Sequence, residues 1–151
     1  TFVHARVVSD LQIDMGGVAA HGRPVHLYLN GLYWGMYTLQ ERSDESFAAS
    51  YFGGEKEEYD VLKHTSTTLI AGNLTAYNNL LALARANLAL NANYEAIQQA
   101  LDLNWFIDYM MLHFYIGDED WPQHNWYAIR RRLPGTLQPE SHRRQRHRFT
   151  R

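Results

Sequence analysis

The sequence predicts an α+β domain, and three observations carry that expectation. Two β-rich runs flank Asn30-Gly31 early in the chain, and a strongly apolar helix occupies residues 103–116. The strands come mainly early and the helices late, without the regular strand–helix alternation of a parallel sheet. Of 151 residues, 46% are hydrophobic and 20% charged, the balance of one domain with a core of its own.

Phe2 to Met15 opens the chain with Val3, Val7, Leu11 and Met15 four apart, one stripe of an amphipathic helix that Gly16-Gly17 stops. Val25–Leu29 and Leu32–Leu39 then form a hairpin, because both residues of Asn30-Gly31 accept positive φ. Gly35 inside the second strand marks a bulge or a close approach to the backbone, by a ligand or by a neighbouring aromatic ring. Trp34 is expected in the core. Ser43 reads as the N-cap of a short helix that buries Phe47, Tyr51 and Phe52. Tyr59–His64 is a short strand carrying Lys63, which is either solvent-facing or a phosphate contact.

Asn73 to Leu90 is helical by composition, with Leu74, Tyr77, Leu81, Ala84 and Leu88 on one face, and Asn91 to Leu101 forms a shorter helix. Asp102 caps the helix Leu103–Ile116, which is apolar nearly all round and therefore expected to be buried on every side. Trp126–Arg130 is a closing strand, and Leu133-Pro134-Gly135 turns the chain after it.

No apolar run is long enough to span a bilayer, and no N-terminal stretch has the form of a signal peptide. The absence of cysteine excludes disulfides and thiolate-bound metals and leaves the compartment open. A net charge of -2 gives no reason to expect nucleic acid as a partner. The charge is unevenly spread: five arginines fall in residues 141–151, and the remaining nine of 14 basic residues face 16 acids. The chain begins with Thr1 and stops within an arginine run, so it reads as a piece of a longer protein. Residues 141–151 read as a basic tail, either native sequence cut from its neighbours or a disordered or non-native ending.

Between the apolar helix and the last strand lies Gly117-Asp118-Glu119-Asp120-Trp121-Pro122-Gln123-His124-Asn125-Trp126-Tyr127. Asp120 and Asn125 stand in the spacing D-x-x-x-x-N, which protein kinases use to place a proton-accepting carboxylate and a metal-binding amide in one cleft. The loop also reads as a solvated acidic cap, with Trp121 and Trp126 folded back onto the core. Acids after a helix C-terminus oppose the macrodipole, an odd choice for a cap with no other purpose.

Three segments together resemble the CotH kinase family of atypical protein kinases. They are Asn30-Gly31-Leu32-Tyr33-Trp34-Gly35-Met36-Tyr37 with Glu41-Arg42, then Phe106-Ile107-Asp108-Tyr109, then Asp118-x-Asp120-Trp121-Pro122 with Asn125-Trp126-Tyr127. The resemblance implies an incomplete atypical protein-kinase-like fold, with residues 1–140 a partial kinase domain. It implies Asp120 as the catalytic acid, Asn125 and Asp118 as Mg²⁺ ligands, and Glu41 and Lys63 near ATP. Phosphate would pass from ATP to Ser or Thr of a protein substrate, such as a spore-coat protein. A second metal-binding acid, which the family supplies from a downstream W-D-x-D-like strand, is missing here, so the isolated piece is expected to be inactive. Two other functions remain open: a non-catalytic scaffold of the same family, and a glycoside hydrolase using Asp118 and Asp120 as paired acids beside Trp121 and Trp126.

Overall fold

A computed structural model of the chain describes residues 2–63, 68–118, 121 and 124–132. It is α+β, as the sequence predicts: helices and strands alternate irregularly, and the strands pair antiparallel in two small sheets.

Helix α1 (Phe2–Asp14) ends at Gly16, whose φ is 87°. Gly17 follows with the Trp105 ring lying directly on its backbone, where any Cβ would collide with the indole. The Gly-Gly pair therefore stops one helix and admits the side chain of another.

Strands β1 (Gly22–Leu29) and β2 (Leu32–Gln40) form the expected hairpin. Asn30 and Gly31 take φ values of 50° and 81°, the double positive φ that matches the right-handed twist of paired strands. Leu27 pairs with Gly35 and Tyr28 with Tyr33, so Trp34 is the extra residue of a bulge. The neighbour at Gly35 is an aromatic ring: a Cβ there would meet the edge of Tyr37 at 3.6 Å.

Helix α2 (Glu45–Phe52) is capped by Asp44 and not by the expected Ser43. The Asp44 carboxylate accepts from the backbone N–H groups of Ser46 and Phe47, each at 3.0 Å, a reach that suits the residue one position later. A 3₁₀ turn (Lys56–Glu58) leads into β3 (Tyr59–Lys63), the centre of the second sheet. Its neighbours are β4 (Leu69–Ala71) and β5 (Tyr127–Arg131), both antiparallel to it. Ala48 of α2 and Tyr59 and Val61 of β3 are fully buried, flanked by Phe52, Ile70 and Ile129. This is the core. Tyr51, expected inside, stays partly exposed because its hydroxyl is drawn to the Glu41 carboxylate.

Helix α3 (Thr75–Ala84) stops six residues short of the expected end at Leu90. The cause is Asn87, whose side-chain oxygen accepts from Ala89 N at 3.1 Å and so offers the backbone a turn in place of helix. Helix α4 (Asn91–Ala100) restarts beyond that turn and packs on α3.

Helix α5 (Leu103–Ile116) begins, as expected, at Asp102, whose carboxylate accepts from Trp105 N at 3.1 Å. Its burial departs from expectation. Leu112 and His113 are buried, whereas Met111, Phe114 and Tyr115 are 62%, 69% and 85% exposed. Among the described residues, α1, Gly17 and Trp121 cover only part of this helix. Apolar composition states what a helix can bury, not what lies over it. The hairpin shows the same departure, with Trp34 61% exposed.

Candidate functional site

The loop that follows α5 starts from a well-defined helix end. Gly117, at φ 63°, donates its N–H to Phe114 O at 3.3 Å, and Asp118 N donates to His113 O at 3.2 Å. That pair of bonds is the Schellman arrangement, which satisfies carbonyls the helix leaves open. The side chain of Asp118 turns back onto the same helix: its Oδ2 lies 2.9 Å from Nδ1 of His113, which is buried in the last turn. An acid placed against the helix dipole is thus answered by an imidazole one turn behind it.

Trp121 lies against the same imidazole, stacked at 4.9 Å between ring centroids and 15° between planes. Its indole N–H donates to the Tyr109 hydroxyl at 3.1 Å, and Phe114 meets it edge-on at 5.8 Å. Burial pushes the Tyr109 hydroxyl up to about 12, and the nearby Asp118 charge adds to the effect. On the far side of the loop, Trp126 stacks on Tyr77 of α3 at 6.2 Å. Both tryptophans therefore act as anchors, as the sequence suggests.

Asn125 is exposed and left-handed, with φ 65°, a conformation Asn tolerates better than most residues. Two residues on, Tyr127 starts β5 opposite Lys63 at the end of β3. The Lys63 ammonium lies 5.8 Å from the Tyr127 ring centroid. The antiparallel pairing thus brings Lys63 beside the stretch that carries Asn125, although 62 residues separate them in sequence.

Glu41 belongs to another part of the fold. Its carboxylate accepts from His21 N at 2.8 Å and from the Tyr51 hydroxyl at 2.8 Å, tying the hairpin's open end to α2. The His21 backbone N–H, then the Tyr51 hydroxyl and the His21 ring, hold this carboxyl below the usual range against a smaller opposing effect of burial.

Beneath the loop's exit runs a charged network that the sequence did not disclose. Asp60, fully buried on β3, accepts from Arg130 at 3.1 Å, Arg132 at 2.7 Å and Asn73 N at 2.8 Å. Arg131, on the opposite face, pairs with Glu58 at 2.8 Å.

A model of the family described as CotH kinase protein matches residues 1–150. The chain belongs to the CotH kinase family. No curated protein and no solved structure matches it.

Set against the residues the family resemblance implied, the CotH chain divides in two. Asp118, Asn125 and Lys63 sit on or beside the loop between α5 and β5, whereas Glu41 has His21 and Tyr51 as its partners among the described residues. Asp120 lies outside the described residues, as do His64, the turn at 133–135 and the tail at 141–151. Among the described residues, no cluster of three or more His, Cys, Asp or Glu could by itself hold a metal ion, and no helix is long and apolar enough to cross a membrane. Sequence reading missed His113. Its signal was a lone imidazole in the last turn of an apolar helix, five residues before an acid.

Proposed function

We propose that this CotH chain carries the phosphotransfer loop of an ATP-dependent protein kinase. The observation that carries the reading is the mounting of the D-x-x-x-x-N segment. The chain leaves the capped terminus of α5 before this segment and enters β5 at Tyr127 after it, and the strand partner of Tyr127 is Lys63. Membership of a kinase-like family supports the reaction class. The acceptor is a Ser or Thr hydroxyl of a protein.

In this reading the hydroxyl oxygen attacks the γ-phosphorus, the bond to the β–γ bridging oxygen breaks, and ADP leaves. Asp120 takes the hydroxyl proton and orients the oxygen. Lys63 contributes positive charge near the phosphates. The donor chemistry fits Mg²⁺, which takes oxygen ligands and is commonly held by one or two protein groups together with substrate phosphates. Asn125 would offer its amide oxygen. Mg²⁺, when bound, neutralises charge developing on the phosphoryl group. Asp118 has its carboxylate engaged by His113, which favours an anchoring role over direct ligation. The same engagement leaves it poorly suited to act as one of a pair of glycosidase acids.

A second reading, a non-catalytic CotH scaffold, draws on the exposed apolar residues of the hairpin, including Leu32 and Trp34. Transfer of labelled phosphate from ATP to a Ser-rich protein acceptor with Mg²⁺, by the whole protein, separates the two. A kinase transfers and loses transfer on Asp120→Asn; a scaffold transfers nothing in either form.

A further inference from the structure

His113 touches the described residues on both sides of Glu119-Asp120. Its Nδ1 is 2.9 Å from Asp118 Oδ2, and its ring stacks on Trp121 at 4.9 Å. Tyr109, one turn earlier on α5, packs on the imidazole at 4.4 Å and receives the Trp121 indole N–H at 3.1 Å. His113 itself is only 5% exposed, so its ring is held by the helix and its neighbours. Asp120 is the residue next to Trp121 and two from Asp118, and consecutive Cα atoms stand about 3.8 Å apart.

We propose that His113 is the positioning residue of the CotH loop that carries Asp120. The assignment of Asp120 rests on the phosphotransfer reading; the anchoring of Asp118 and Trp121 does not. The residue type follows from the two contacts. An ionised carboxylate only accepts hydrogen bonds, so Nδ1 carries the proton toward Asp118. The same side chain must present a flat face to an indole. Phe keeps the face and loses the donor, whereas Asn keeps a donor near the Nδ1 position and loses the face.

Two readouts on the whole protein, as wild type, His113→Phe and His113→Asn, test this, with a thermal midpoint for each. Amide hydrogen exchange across residues 117–126 should quicken by about 10-fold or more in His113→Phe while the amides of β3 keep their protection. Phosphate transfer should lose ~10–100-fold in kcat with little change in KM for ATP, because misplacement of a reacting group acts on the chemical step. His113→Asn should recover part of both. Should His113→Phe fail to fold, Asp118→Asn weakens the same bond from the other side and carries the same expectations. Wild-type exchange at 117–126 in the variants, or exchange that rises equally throughout the chain, overturns the anchoring. Unchanged kcat alongside loosened exchange overturns the positioning role. A whole wild-type protein with no transfer at all removes the phosphotransfer reading and, with it, the catalytic assignment, while exchange still decides the anchoring.

Discussion

Asp60 and Arg130 are cross-strand neighbours on β3 and β5 and ion-pair partners at 3.1 Å, with the carboxylate buried and the guanidinium at its edge. Arg132 approaches the other Asp60 oxygen at 2.7 Å, so one acid fastens two positions of the strand that ends the loop. Removing one member of a buried charged group strands the rest. Asp60→Ala should therefore cost about 3–5 kcal/mol. Glu58→Ala, which breaks the more exposed pair with Arg131, should cost about 1 kcal/mol or less. Urea denaturation of the two variants gives the comparison, and equal midpoints would show that Asp60 is not the clasp.

Trp34 and Leu62 make the second contrast. Trp34 is 61% exposed on the bulge, while Leu62 is 3% exposed on the central strand. Leu62→Ala should lose about 2–5 kcal/mol by transfer and cavity formation. Trp34→Ala should change stability by about 0.5 kcal/mol or less, as surface substitutions do. A large loss at Trp34 would show that the hairpin packs against something in solution.

The contrast also marks what the sequence discloses. The Asn30-Gly31 turn, the bulge at Gly35 and the Asp102 cap were legible because each depends on a few adjacent residues and their backbone preferences. The exposure of Trp34, Phe114 and Tyr115 was not, since burial depends on which elements come to lie over a surface. The same holds in the site. The aromatic anchors could be read from local alternation, but the meeting of Lys63 with the Asn125 stretch arises from pairing of β3 with β5. The Asp60 network is hidden for the same reason: Tyr59-Asp60-Val61 looks like any short strand until Arg130 and Arg132 arrive opposite it.

Asn125 has two separable properties, a left-handed backbone and an amide oxygen. Asn125→Gly keeps the first and removes the second. Asn125→Ala removes both and adds strain of about 1–2 kcal/mol. Asn125→Gly should melt near wild type yet need far more Mg²⁺ for phosphate transfer. A glycine variant with wild-type Mg²⁺ dependence would reduce Asn125 to a turn residue.

Tyr109 sets a dependence on alkaline pH. Its hydroxyl ionises near 10.0 when unfolded and is pushed by burial up to about 12 in the fold. A group whose folded value is raised stabilises fully below the unfolded value, and the contribution is lost as pH rises through the folded one. Wild type should therefore exceed Tyr109→Phe in stability by a constant margin below pH 10 and lose that margin between about 10 and 12. Melting curves across that range check the sign, and a margin that grew with pH would contradict the burial of this hydroxyl.

In the proposed reaction Asp120 takes a proton during phosphate transfer. The direct measurement is the rate of labelled phosphate transfer from ATP to a Ser-rich acceptor with Mg²⁺, by the whole protein and by its Asp120→Asn form. Asn preserves the shape but cannot accept the hydroxyl proton, and general-base contributions are worth on the order of 10²–10⁴-fold. A loss in that range with the thermal midpoint unchanged is the expected result. An Asp120→Asn protein that transfers phosphate at the wild-type rate would contradict it.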